Sequence, residues 1–328
     1  MATINATTMS ILDAAKLFGA DGMILNVAEL LSQRKGMLED ISWKATDAPE
    51  SHVSAQRTSL ATPSNIVYNS EIVATKSTVA NIIESVQGLR TWLTPDADVL
   101  NYGGNPGGKM AVEIAGAVEG MKQAVQTKFI TGNGDTTVGD MYGFYSRMTS
   151  LSANNARNIL DCDGTGSDNA SILYVRWSPE TIYGLYPKGT PAGLEMKDYG
   201  VQAVTTSSGE IVRHKYRLSW FFGVSVDDWR QMARACNIDI PALLAGTGAD
   251  LQSRMRDLMS AVEDNSHGKG AFYMNRTVHA ALARQCRTAV QAGGGLTFSN
   301  ADGEVRESFD GVPIRIIDAM PITESRVT

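Results

Sequence analysis

Cysteine is scarce in this 328-residue chain, and the three present, Cys162, Cys236 and Cys286, are an odd number without a CxxC spacing. That argues against both a disulfide framework and a zinc site and suits a reducing compartment. Long apolar runs are missing as well: no stretch approaches the ~18 uninterrupted apolar residues of a membrane span. Met1 to Ser10 is polar, with no cationic segment ahead of an apolar one, so neither export nor membrane anchoring is expected. Excess positive charge is also absent, since 29 Lys and Arg stand against 35 Asp and Glu, a formal charge of −6. Such a balance does not suit a protein that coats nucleic acid. The first 60 residues, with five basic and seven acidic side chains, form no basic arm, and any nucleic-acid contact is expected to be weak or local.

What the chain does have is 43% apolar and only 20% charged residues, enough to bury a large core in one large domain or two to three smaller ones. Disorder and collagen-like repeats are excluded. Two short helices are expected near the start, Ile11 to Phe18 and Asn26 to Arg34, stopped by Gly19 and Gly36. Neither reaches the ~12 to 15 residues at which an isolated helix becomes marginal in water, so this segment reads as an arm that needs another surface. From Thr46 to Ser77, Ser, Thr, Ala and β-branched residues dominate. Two extended runs, His52 to Thr58 and Asn65 to Thr75, predict a long hairpin. With about 13 to 15 residues per side it would span ~45 to 50 Å, longer than the radius of a compact domain of this size. A projection of that length lies on another molecule, unless it folds back on its own core.

Met110, Ile114, Val118, Met121, Val125 and Phe129 recur at helical spacing, predicting one helix of about 24 residues that ends at Gly132. Val212 to Val226 alternates as a long strand with one buried face. A helix capped by Asp227 or Asp228 is expected next, carrying Trp229, Met232, Ala233 and Cys236, and a second carries Leu251, Met255, Leu258 and Val262. Asn275 reads as the cap of one more, with Val278, Leu282 and Cys286 inward. The class is mixed α+β without a βαβ rhythm.

Candidate chemistry is thin. Gly103 to Lys109 satisfies GxxxxGK, but Met110 stands where a phosphate loop needs a hydroxyl, and Pro106 removes an N–H that would cradle phosphate. Its expected role is to start the long helix. Asp161 to Asp168 superficially resembles a calcium loop, with Gly166 at the sixth position, yet its fifth is Thr165, not Asp or Asn, and its twelfth is Ile172 in place of Glu. An acidic turn fits better. Gly132-Asn133-Gly134 closes a helix where a dinucleotide fingerprint would open one. His279 and Cys286, seven apart on one helical face, are about 10 Å apart along its axis, too far for a nucleophile and its base. The other histidines, His52, His214 and His267, are scattered, and there is no HExxH or GxSxG, so no active site assembles.

Taken in order, the segments resemble a known family. They are the short arm, the Ser/Thr-rich hairpin, the long helix with Phe129-Ile130-Thr131-Gly132-Asn133-Gly134 and Tyr142-Gly143, and two later blocks, Gly270 to Thr277 and Phe309 to Ile316, followed by Ala319-Met320-Pro321. The chain is similar over most of its length to major capsid proteins of tailed double-stranded DNA phages with the Hong Kong 97 fold. The likeness is greatest to short-tailed phages, whose capsid proteins also carry blocks like Ser171 to Trp177 and Val226 to Arg230. No single motif is specific; their combination and the length carry the resemblance.

The resemblance implies an α+β capsid fold with an N-arm at residues 1–45 and an extended hairpin, the E-loop, at 46–78. A peripheral domain at 79–264 would hold a spine helix near 107–131, and 265–328 would be mainly the axial domain. The strand-rich block of residues 171–226 precedes the Tyr-Met-Asn and Gly-Val-Pro blocks that long strands usually follow, which leaves the segment order and the domain boundary open. Intersubunit contacts are expected from Ile11, Leu17 and Phe18 of the arm and from Val53, Arg57, Leu60, Pro63, Ile66 and Tyr68 of the hairpin. The implied function is structural: homo-hexamers and homo-pentamers closing an icosahedral shell, the virion head, around double-stranded DNA without sequence-specific binding. No enzyme activity, cofactor, metal or membrane is implied. The implied partners are scaffolding, portal and decoration proteins, with scaffolding expected in a separate protein because the chain begins almost at the arm. Two alternatives are an encapsulin-like shell around protein cargo and a nucleotide-binding enzyme using Gly103 to Lys109.

Overall fold

In the computed structural model the described residues are 36–66, 68–69, 71–190, 192–206, 209–263, 268–288, 296–301 and 304–328. The helices expected at Ile11 to Phe18 and Asn26 to Arg34, and with them Ile11, Leu17 and Phe18, lie outside these residues. Helix α1 (Gly36–Asp40) and strand β1 (Trp43–Ala45) precede a two-stranded antiparallel ribbon of β2 (Ser51–Ser59) and β3 (Thr78–Ser85). Strand β4 (Gln87–Leu93), helix α2 (Ala97–Asn101), the long helix α3 (Pro106–Thr131) and the short α4 (Phe144–Arg147) follow. Strands β5 (Ile159–Asp161), β6 (Asn169–Trp177), β7 (Ile182–Tyr186), β8 (Leu194–Thr206), β9 (Gly209–Val226) and β10 (Met232–Asp239) run in succession. The last third holds α5 (Ile240–Ala245), α6 (Leu251–Ala261), β11 (Lys269–Met274), α7 (Arg276–Thr288), β12 (Leu296–Ala301), β13 (Glu304–Phe309) and β14 (Val312–Ile316).

Helix α3 starts and stops for legible reasons. Asn105 sits in the left-handed region at φ 49° and its Oδ1 accepts from the Gly108 N–H at 3.1 Å, with Pro106 in the first turn where its missing N–H costs nothing. At the other end Gly132 follows Thr131, where a Cβ would come within 2.5 Å of the Lys128 carbonyl oxygen. Of the apolar stripe, Met110, Met121, Val125 and Phe129 are buried, while Ile114 and Val118 are half-buried. Phe129 stacks on Phe222, with ring centroids 5.6 Å apart, and meets the edge of Trp43.

Those contacts seat α3 on a five-stranded sheet. Strand β9 pairs with β4 on one side, and with β7 and then β8 on the other, while β1 extends the sheet beyond β7. The strand expected over Val212 to Val226 is present, but it does not have a single buried face: Ser219 and Ser225, opposite the apolar set, are buried as well. Leu218, Trp220, Phe222 and Val224 are buried in the core beneath α3, whereas Val212, at the far end of the long β8–β9 hairpin, is exposed.

A seven-stranded sheet in the order β12-β13-β14-β11-β6-β10-β5 forms the second layer system. Every residue of β6 is buried. Leu173, Val175 and Trp177 join the core shared with α3, and Ile172 and Tyr174 face a second core with Leu251, Met255, Leu258, Val278 and Leu282 of α6 and α7. Burial on both faces explains one wrong element type. The helix expected over Trp229 to Cys236 is a single 3-10 turn, Trp229–Gln231, followed by β10. Strand β10 lies between β6 and β5 and buries Met232, Ala233, Ala235 and Cys236, so it lacks the alternation that marks a half-exposed strand. A domain cut at residue 264 divides this sheet, because β11 beyond it pairs along its length with β6 before it.

Helices α6 and α7 occupy the expected segments, and Asn275 Oδ1 caps α7 by accepting from the Thr277 N–H at 3.0 Å. The acidic turn is structural: Asp161 Oδ1 accepts from the Asp163 N–H at 2.9 Å and from Asn237 Nδ2 at 2.8 Å. All three cysteines are buried, and burial pushes the Cys162 thiol up to about 12 and that of Cys236 up to about 11, leaving both protonated. Among the described residues no group of three or more His, Cys, Asp or Glu is placed to hold a metal ion, and no helix is long and apolar enough to cross a membrane.

Candidate assembly surfaces

The β2–β3 ribbon is built unlike the rest of the chain. Every described residue from Arg57 to Asn81 is exposed, including Leu60 at 74%, Ile66 at 78% and Tyr68 at 94%. Nine residues of β2 alone carry the ribbon ~30 Å outward. Val53, Arg57, Leu60, Pro63, Ile66 and Tyr68 therefore share one projection. Its returning strand is Thr78–Ser85, not the Asn65 to Thr75 run; the described residues between Leu60 and Ser77 form no strand. Both stretches are rich in β-branched residues, and the pairing is decided at the root, where Ser51 lies opposite Ser85. Four further exposed apolar residues, Ile72, Val73, Val79 and Ile83, belong to the same surface.

A ribbon that buries so little of its length must be held at its base, and the base is polar. Glu84, 4% exposed, receives both guanidinium nitrogens of Arg147 at 2.6 and 2.7 Å. Buried His52 places Nε2 2.8 Å from the Tyr183 hydroxyl and Nδ1 2.8 Å from the Asp47 carboxylate. The Tyr183 hydroxyl donates to Asp227 at 2.9 Å. Burial holds this phenol well above its ordinary value, so it stays protonated and keeps donating. Gln87 Nε2 donates to Asp140 while its Oε1 accepts from the Met141 N–H. Bidentate pairs and closed chains of this kind fix direction, which sets the angle at which the ribbon leaves the body. Sequence reasoning missed this root entirely, since Glu84 and Arg147 are 63 residues apart and His52 and Tyr183 are 131 apart.

The phosphate-loop reading of Gly103 to Lys109 is overturned. Lys109 is fully buried, and its ammonium donates to the carbonyls of Leu100 at 2.9 Å, Val99 at 3.4 Å and Tyr102. Those are the orphan carbonyls at the end of α2, so the lysine closes one helix from the first turn of the next. Burial lowers its pKa below the ordinary lysine value. Replacing Lys109 by Met is expected to cost ~1 to 3 kcal/mol in urea denaturation, by leaving those carbonyls without this donor. An unchanged midpoint would contradict the capping role.

These features match one family across nearly the whole chain: the model described as Major capsid protein GP7 matches residues 19–328. The chain belongs to that capsid protein family. Among solved structures it is similar to a chain of bacteriophage Epsilon15, at 28% identity, with 100% of both chains covered and a TM-score of 0.78. It is also similar to the capsid of bacteriophage JBD30, at 9% identity over 89% of this chain and 92% of that one, with a TM-score of 0.51, a likeness of fold alone. No curated protein matches. This capsid protein therefore has the α+β Hong Kong 97-type fold expected of a tailed double-stranded DNA phage, and its role is structural and not enzymatic. Copies of it oligomerise into the icosahedral shell of the virion.

Proposed function

We propose that the copies close the shell as pentamers and hexamers, with the β2–β3 ribbon acting as the E-loop that each copy lays on a neighbour. The observation that carries this reading is the run from Arg57 to Asn81, every described residue of which is exposed, held by a buried polar root. Such a run leaves Leu60, Ile66, Tyr68, Ile72, Val73 and Val79 exposed on one projection, and a neighbour supplies the cover they lack. In this reading α3 is the spine helix, the five-stranded sheet around it is the peripheral domain, and the seven-stranded sheet with α5 to α7 is the axial domain. Residues 1–45 serve as the N-arm. Contacts of ribbon and arm are heterologous, so each copy both gives and receives one, and rings close before the shell does. Each fully buried Val, Leu, Ile or Phe contributes at most ~1.5 to 3 kcal/mol, and a subunit held by several neighbours gains avidity beyond any single contact. Scaffolding, portal and decoration proteins complete the assembly, and the enclosed double-stranded DNA is held by confinement and counterions, in keeping with the acidic chain.

The test is negative-stain electron microscopy with size-exclusion chromatography, on the chain expressed alone and with any scaffold encoded beside its gene. Rings of five and six subunits or closed shells are expected. A well-behaved compact monomer under both conditions would contradict the proposal.

A further inference from the structure

The face of the five-stranded sheet away from α3 carries positive charge that the described residues do not balance. Directly opposed residues in an antiparallel pair share a face. The registers Trp92 to Arg217, Arg90 to Ser219, Lys197 to Arg217 and Gln202 to Arg213 therefore place Arg90, Trp92, Lys197, Arg213 and Arg217 on one side, and alternation adds Lys215. Leu218, Trp220 and Phe222, from the other side, are the ones packed into the core under α3. Of the five cations only Arg217 pairs with a carboxylate, Glu195 at a loose 3.9 Å; among the described residues the others have no ion pair. The Nε atoms of Arg213 and Arg217 are buried without a hydrogen-bond partner. Between the cations lies an aromatic pair. Tyr199 sits 5.4 Å from Trp92 by ring centroids, with Lys197 Nζ 5.2 Å and the Arg217 guanidinium carbon 5.6 Å from its own centroid. Trp92 is 49% exposed.

We propose that this face binds an acidic, extended segment of a different protein, with carboxylates over Lys197, Arg213, Lys215 and Arg217 and an apolar side chain on Trp92 and Tyr199. Spacing supports an extended ligand: Arg213, Lys215 and Arg217 follow one another every ~6.8 Å along β9, which is also the repeat of alternate side chains in an extended peptide. Composition supports a protein ligand, because Trp, Tyr and Arg are the residues that dominate binding energy at protein interfaces. Duplex DNA fits less well. It carries a charge every ~1.7 Å and must approach a chain whose net field is negative, whereas a short acidic segment meets only the local patch. The chain's own ribbon tip is not the complement either, since Arg57 and Lys76 outnumber its Glu71.

Fluorescence anisotropy on the full chain in its assembled form tests the assignment. The probe is a fluorescein-labelled 12-residue peptide alternating Glu and Thr with one central Leu. The comparison ligands are the same peptide with Gln for every Glu and a 20-base-pair DNA duplex. Saturable, salt-sensitive binding of the acidic peptide is expected, at least tenfold weaker for the Gln peptide, with a change in tryptophan emission that Trp92→Phe removes. Lys197→Glu combined with Lys215→Glu should weaken acidic-peptide binding at least tenfold. If that pair prevents assembly, Lys215→Gln alone should weaken it measurably. No binding, equal binding of the Gln peptide, tighter binding of the duplex, or affinity unmoved by these substitutions would each overturn the proposal.

Discussion

Replacing residues 60–77 by a two-residue Asn-Gly turn is expected to leave a folded chain that no longer closes into shells. The cut is placed by the register: Ser59 lies opposite Thr78, and their hydroxyls are 2.6 Å apart, so a two-residue turn can join them without disturbing the ribbon below. Every described residue removed is exposed, and the contact seen inside the segment, Thr75 Oγ1 donating to the Thr62 carbonyl, leaves with it. Shortening a flexible connection lowers its closure cost by ~0.6 kcal/mol per halving, and 18 residues cut to two is about three halvings, so denaturant midpoints should hold or rise. What disappears is Leu60, Ile66, Tyr68, Ile72 and Val73, the apolar end of the ribbon. Sedimentation and electron microscopy should find soluble subunits or small oligomers, with shell yield down more than tenfold. Shells at the wild-type yield would mean that the tip is dispensable, and would shift the assembly contact toward the root or the arm.

The parts of this molecule legible in its sequence are those where one local rule decides the outcome. Helix α3 is of that kind, because Asn105, Pro106 and Gly132 bracket a single apolar stripe. So is β9, whose apolar residues at every second position, Leu218 to Val224, all enter one core. Strand β10 was not legible: burial on both faces removes the alternation, and the spacing of Trp229, Met232, Ala233 and Cys236 then mimics a helix. The ribbon was legible as a hairpin but not in its register, since Asn65 to Thr75 and Thr78–Ser85 share a composition and long-range contacts at the root, Glu84 with Arg147 among them, favour the second. The interleaving of the two sheets also lay beyond local reading, because β6 and β11 are separated by the whole of β7 to β10 and α5 to α6.

The same long-range logic predicts the largest loss of stability. Arg234, 4% exposed on β10, ties together three segments far apart in sequence. Its Nη2 donates to Glu324 Oε2 at 2.6 Å, its Nη1 to the Met148 carbonyl at 2.7 Å and its Nε to Ser171 Oγ at 3.1 Å, with the guanidinium 3.9 Å above the Tyr145 ring. Burial, with the Glu324 carboxylate adding to it, holds the Tyr145 phenol well above its ordinary value, so Tyr145 stays neutral beside the pair. In Arg234→Met the Glu324 carboxylate stays buried without its cation, keeping neutral donors such as the Ser171 hydroxyl at 2.6 Å. Breaking a buried pair in this way costs ~3 to 5 kcal/mol, and substituting both partners by apolar residues of similar volume costs far less. Arg234→Met should therefore lower the urea midpoint steeply, and Arg234→Met with Glu324→Met should recover much of the loss. The damage should also be local first. Glu324 bridges Asn169 in backbone pairing, Val327 is held by the Asn237 side chain and the Thr328 carbonyl accepts from the Leu151 N–H, so the last residues lace onto the seven-stranded sheet through the neighbourhood of this pair. Hydrogen exchange in Arg234→Met is expected to rise over residues 318–328 before it rises in α3. Uniform exchange with an unchanged midpoint would show that the pair is replaceable by packing alone and that the C-terminal segment is held by its backbone bonds.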